Sequence, residues 1–203
     1  MEIRRIIVLL LILMLVGCQK VEPKEERILC AGDSITYGYL LDKQDSYPAI
    51  LQSMCQEKVT VLNTSTVGIT AYDYQNMDLL KQGKDFEPTI VVLMFGSNDS
   101  NLYYYESREA FKTYYTHLIE QFSQSKVYLC TPPMAYSDNY GVNEKNLKEI
   151  VETIKEIGKE KDLKVIDIYS LTSKHSEWFS QDGIHPDRNG TKAIAQAVYE
   201  AIQ

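Results

Sequence analysis

Thr89-Ile90-Val91-Val92-Leu93-Met94-Phe95 is the stretch that decides the fold. After Thr89 it carries no polar side chain, it is β-branched at its start, and Gly96 ends it. A strand with one face in water alternates apolar with polar residues. A continuously apolar strand belongs to a sheet covered on both faces. Working outward, four more short runs read as strands: residues 27–31 (RILCA), 59–62 (VTVL), 126–130 (KVYLC) and 164–168 (KVIDI). Helical periodicity separates them. Phe111, Tyr114, Tyr115, Leu118, Ile119 and Phe122 form one stripe, and Leu147, Ile150, Val151, Ile154 and Ile157 another. Ala193, Ile194, Ala197, Val198, Ala201 and Ile202 form the last. Weaker helical patterns run over Tyr47–Gln56 and Tyr72–Lys81. Strand–helix alternation predicts an α/β protein with a parallel sheet between two helical layers. Such sheets bind ligands beyond the carboxyl ends of their strands.

Three segments follow predicted strands directly: Gly32-Asp33-Ser34-Ile35-Thr36, Asn63–Gly68 (NTSTVG) and Gly96-Ser97-Asn98-Asp99. A fourth, Asp182-Gly183-Ile184-His185-Pro186, precedes the last helix. Together they offer the parts of a serine esterase. Ser34 supplies a hydroxyl on a turn, and His185 an imidazole, the usual general base for such a hydroxyl. Asp182, three residues earlier, can orient the imidazole. Gly68 can bring a backbone N–H close to a substrate, Asn98 can donate from its side chain, and Ser34 from its own backbone. Each piece alone is a common turn or helix boundary. Four in order, at the correct ends of strands, point to one site.

This set resembles the SGNH hydrolases, also called GDSL esterases, over about residues 27–203. G-D-S-I-T matches the first block of that family, N-x-x-x-x-G the second, G-S-N-D the third and D-G-I-H-P the last. The resemblance implies a flavodoxin-like five-stranded parallel sheet in a three-layer sandwich. It also implies Ser34, Asp182 and His185 as catalytic triad, and Ser34, Gly68 and Asn98 as oxyanion donors, with no metal or organic cofactor. One departure is Ser65, where the second block usually has glycine. The nucleophile elbow G-x-S-x-G of α/β-hydrolases is absent. The stretch from Val127 to Pro133 (VYLCTPP), with its neighbours, resembles the branch containing carbohydrate O-acetylesterases. The expected substrate is therefore a short acyl ester, an acetyl group on a glycan. A lysophospholipase or acyl thioesterase of the same superfamily is the alternative, and a glycan-binding lipoprotein without activity is the alternative of another class.

Other residues invite plainer readings. His117 lies off its helix's apolar stripe, and His175 sits in a polar loop. Asp33 and Asp99 flank the motifs as turn-holding side chains. Tyr103-Tyr104-Tyr105 read as a loop packing on the next helix, in preference to a sugar-stacking platform. Cys30 and Cys130 end apolar runs and read as small core residues; with Cys55 they make an odd set that cannot all pair.

The N-terminus reads as a targeting segment. Arg4 and Arg5 precede an apolar run from Ile6 to Val16, which is shorter than the roughly 20 residues of a membrane span. Leu15-Val16-Gly17-Cys18 resembles the lipobox of bacterial lipoproteins. That implies cleavage before Cys18, lipidation of Cys18 and an extracytoplasmic protein anchored to the bacterial cell membrane. The expected layout is a signal peptide over 1–17, lipidated cysteine and tether over 18–26, and a hydrolase domain over 27–203. A net charge of −7 argues against nucleic acid as a partner.

Overall fold

The computed structural model describes residues 25–203. Five strands form one parallel sheet: β1 (Glu26–Gly32), β2 (Val59–Ser65), β3 (Ile90–Met94), β4 (Lys126–Cys130) and β5 (Lys164–Ile166). Their order is β2-β1-β3-β4-β5, so the chain steps one way from β1 to β2 and the other way from β3 onward. The reversal lies between β1 and β3, where a doubly wound sheet opens its ligand crevice. The expected flavodoxin-like sandwich is the fold observed.

All five residues of β3 are buried, as its unbroken apolar run requires. Successive side chains divide between two cores. Leu29, Ala31, Val91, Leu93, Val127 and Leu129 meet Ala71–Gln75, Arg108–Glu120 and Glu144–Glu160 on one face. Ile28, Cys30, Ile90, Val92, Met94 and Tyr128 meet Tyr47–Met54 and Arg188–Ile202 on the other. Each buried Val, Leu or Ile side chain contributes about 1.5–3 kcal/mol, so β3 and its neighbours dominate the stability. Cys30 and Cys130 are buried core residues, and burial pushes the Cys30 thiol up to about 12.

Several boundaries differ from the sequence reading. β2 continues to Ser65, so Asn63-Thr64-Ser65 end the strand instead of following it. β5 stops at Ile166, because Asp167 caps a short helix, Ile168–Thr172, by accepting from the Ser170 amide at 3.0 Å. The helix read over Tyr72–Lys81 is two helices, Ala71–Gln75 and Asp78–Asp85, parted by the extended Met77. In the last helix Ile194, Ala195, Val198 and Ile202 are buried and Ala193 only half so, a rotation of the predicted stripe by part of a turn. β1 begins at Glu26, the last residue assigned to the tether. The signal peptide and Cys18 lie outside the described residues. No helix among the described residues is long and apolar enough to cross a membrane.

Candidate active site

The site starts where β1 ends. Gly32 is required by close approach: a Cβ there would lie 2.0 Å from Thr36 Oγ1 and 2.6 Å from the Met94 carbonyl oxygen. Asp33 then caps a single helical turn, Ser34–Tyr37, accepting from the Ile35 amide at 2.9 Å. Gly38, at φ +80°, ends that turn. The Ser34 side chain is thus presented from a short, doubly capped turn at the carboxyl end of a central strand.

His185 arrives from the far end of the chain. Its loop is a closed structure: Ser180 N–H donates to the His185 carbonyl at 2.8 Å, and Gly183 N–H to that of Ser180 at 2.9 Å. Asn139 Nδ2 braces it from outside by donating to the Asp182 carbonyl at 2.7 Å. Within the loop, Asp182 Oδ1 accepts from the amides of Ile184 and His185, at 2.9 and 3.0 Å. Its Oδ2 lies 2.6 Å from His185 Nδ1, and His185 Nε2 lies 2.9 Å from Ser34 Oγ. Burial pushes the Asp182 carboxyl up, but the hydrogen bonds from the His185 amide and ring and from the Ile184 amide outweigh it. The net effect holds this carboxyl below its usual range. An ionised Asp182 requires the proton on Nδ1, which leaves Nε2 to accept from the Ser34 hydroxyl. Such an arrangement can take that proton as the oxygen attacks an acyl carbon.

Ser34, Gly68, Asn98 and His185 line one crevice of about 260 Å³. Asp182 stands behind His185, so all five residues read from the sequence come together. Gly68 has φ +78°, where L side chains are rare, and a Cβ there would touch nothing. The backbone conformation, not crowding, calls for glycine. Asn98 Nδ2 carries two N–H groups, one of which donates to the Ile69 carbonyl at 3.0 Å. Among the described residues the Ser34 and Gly68 amides have no acceptor within the chain. Ser65, the departure from the family pattern, lies outside the crevice and donates to Asn63 Oδ1.

Asp33 and Asp99 are more than turn residues. Asp99 Oδ1 accepts from the Ala71 amide at 3.0 Å and the Tyr114 hydroxyl at 3.2 Å, tying the β3 loop to two helices. Both carboxylates are buried, and each keeps one oxygen without a partner. Burial is the main cause that pushes each up to about 7. His117 is exposed beside Gln75, and His175 stacks on Trp178 at 3.6 Å; neither lines the crevice.

The sequence reading missed the aromatic frame of the imidazole. Tyr39 and Tyr140 set ring edges against His185, with centroids 4.8 and 5.4 Å away. Among 15 tyrosines no local signal marks these two. The reading of Tyr103-Tyr104-Tyr105 as a packed loop holds for Tyr105 alone, whose hydroxyl bonds Glu149. Tyr103 and Tyr104 are exposed.

A profile of the GDSL-like lipase/acylhydrolase family matches residues 30–193. An acetylxylan esterase of Xylanibacter ruminicola is 28% identical over 212 residues, covering 89% of this chain. The chain spans only 44% of that protein's length. Thioesterase 1/protease 1/lysophospholipase L1 of Escherichia coli is 25% identical over 182 residues, covering 88% of this chain and 84% of that one. A lipase/acylhydrolase crystal structure from Enterococcus faecalis aligns with a TM-score of 0.78 at 29% identity, covering 87% of this chain and 95% of the other.

Proposed function

The chain belongs to the GDSL-like lipase/acylhydrolase family and is a carboxylic ester hydrolase, and from that premise we propose that it removes acetyl groups from carbohydrates through an acyl-enzyme on Ser34. The observation that carries the catalytic assignment is the chain of contacts Ser34 Oγ–His185 Nε2–His185 Nδ1–Asp182 Oδ2, at 2.9 and 2.6 Å. In the proposed reaction His185 takes the Ser34 proton as Oγ bonds to the ester carbon. The collapsing intermediate expels the alcohol, which leaves with that proton. Water, deprotonated by His185, then attacks the acyl-enzyme, and Ser34 is released with acetate. Asp182 holds the imidazole tautomer and stabilises the imidazolium. The amides of Ser34 and Gly68 and Asn98 Nδ2 receive the oxyanion.

Two observations support a short acyl group on a large alcohol. The crevice of about 260 Å³ lies just under the roughly 300–1,000 Å³ usual for small-molecule pockets. A relative over most of this chain is an acetylxylan esterase. The lipobox-like Leu15-Val16-Gly17-Cys18 supports a lipid-anchored, extracytoplasmic location, where glycan esters are accessible.

The test is a graded series of acyl esters given to the wild type and to Ser34→Ala. The wild type should cleave acetyl esters faster than octanoyl esters, and the variant should lose activity by about 10⁴-fold or more while keeping its melting temperature. Undiminished turnover in the variant would overturn the triad. An octanoyl preference would favour a lysophospholipase or thioesterase.

A further inference from the structure

A second groove, of about 620 Å³, opens beside the catalytic crevice, and Tyr104 lines both. Tyr72, Tyr103 and Tyr114 are its other aromatic walls, with Asp73 and Glu106 among them. Three of these rings stand out in solvent: Tyr103 is 89% exposed, Tyr72 59% and Tyr104 56%. Aromatic side chains stabilise a fold by being buried. Three left open along one groove do little for the fold and mark a surface suited to binding.

The rings are exposed but their backbone is fixed. Tyr103 N–H donates to Asn101 Oδ1 at 2.8 Å, and the Tyr104 and Tyr105 amides to the Asn101 carbonyl at 3.0 and 2.9 Å. Asn101 is itself buried and donates its side-chain amide to the Tyr140 carbonyl. Leu102 N–H donates to the Gly141 carbonyl at 3.2 Å. Across the groove, Tyr72 sits edge-on to Tyr114 with centroids 6.0 Å apart, and the Tyr114 hydroxyl is held by Asp99. A ligand entering the groove meets rings on an ordered frame and incurs little ordering cost.

We infer that this groove is a subsite for the alcohol side of the substrate, occupied by a neutral saccharide chain whose acetylated sugar lies in the catalytic crevice. The inference rests on the carbohydrate reading proposed above. Continuity through Tyr104 fixes where a large leaving group must run once its ester is at Ser34. The lining selects its chemistry. Sugar rings offer C–H faces to aromatic rings and hydroxyl edges to carboxylates. Glu106 is exposed and makes no ion pair among the described residues, so its carboxylate is available to sugar hydroxyls. Phosphate or uronate groups would be repelled by Glu106 and Asp73. A fatty acyl chain would remove water from those carboxylates and return no hydrogen bond.

The test compares the wild type with the Tyr72→Ala/Tyr103→Ala double variant on three probes: phenyl acetate, a soluble octanoyl ester, and acetylated xylo-oligosaccharides of one to four sugars. Neither substituted residue lines the catalytic crevice. For the wild type, kcat/KM should rise with oligosaccharide length. In the variant its ratio to the phenyl acetate value should fall about tenfold, mainly through KM, the equivalent of roughly 1.4 kcal/mol of lost binding. An unchanged ratio overturns the subsite. A loss confined to the octanoyl ester overturns it in favour of an acyl channel. Saccharide cleavage without length dependence in the wild type removes the subsite and leaves the carbohydrate reading standing. Cleavage of phenyl acetate with no acetylated saccharide accepted removes both.

Discussion

Asn98 donates its side-chain amide to the carbonyl of Ile69 across 3.0 Å, joining the loop after β3 to the loop after β2. Ile69 follows Gly68, so this one bond sets the position of two proposed oxyanion donors relative to each other. Asn98→Ala should therefore remove one donor and loosen another. We expect kcat to fall by about 10²–10³, with a smaller change in KM. A series of initial rates with phenyl acetate checks it, and a change in KM with kcat intact would mean that Asn98 only binds substrate.

Gly32→Ala tests the close approach behind the nucleophile. The added Cβ would meet Thr36 Oγ1 at 2.0 Å and the Met94 carbonyl oxygen at 2.6 Å. The first can rotate away, but the second is backbone of the adjacent central strand. Overpacking of this kind costs about 1–3 kcal/mol, or about 2–12 °C of melting temperature in a domain this size. Activity should fall further than stability, because the displaced strand end carries Ser34. A variant with wild-type melting and wild-type turnover would show that the sheet accommodates the methyl.

Buried Asp99 should make stability fall as pH rises. Burial pushes its carboxyl up to about 7 in the folded protein, from an ordinary 3.8. Between those values the folded state holds a proton that the unfolded state has lost. This stability is fully present below about pH 4 and disappears as pH climbs through 7, at up to about 1.4 kcal/mol per unit. Asp33, also raised to about 7, contributes with the same sign. Asp99→Asn keeps an oxygen for the Ala71 amide and places an N–H where the other oxygen has no partner. Relative to wild type, this variant should gain melting temperature from pH 5 to pH 8. An equal difference at both values would show that the carboxyl does not titrate in that window.

Cys18→Ser addresses the anchor. If Cys18 carries the lipid, the variant should leave the membrane fraction and take up no labelled fatty acid, while its specific activity on phenyl acetate is kept. Labelling that survives the substitution would place the lipid elsewhere or remove it from the account.

The strands were legible because continuous apolar runs have one economical solution, a sheet covered on both sides. The candidate site was legible where chemistry requires particular residue types: Ser34, Gly68 and Asn98 on turns after strands, and Asp182 and His185 on the loop before the last helix. Boundaries were less so. Asp167 reads as part of an apolar run, and only its capping bond to Ser170 reveals a helix start. Tyr39, Tyr140 and the open faces of Tyr103 and Tyr104 were not legible at all. A tyrosine is compatible with core, loop or surface, and only its neighbours in space decide which.

The order of elements and the placement of reactive side chains at strand ends follow from local pattern, since periodicity, capping and backbone freedom act over a few residues. What brings His185 to Ser34 across 151 positions is the strand order and the packing of the last helix into the core that it shares with Tyr47–Met54 and one face of the sheet. Those depend on burying two sheet faces at once, a condition on the whole chain that no single segment carries. The same global condition leaves Tyr72, Tyr103 and Tyr104 uncovered beside the crevice, and that exposure is where selectivity for the alcohol is proposed to reside.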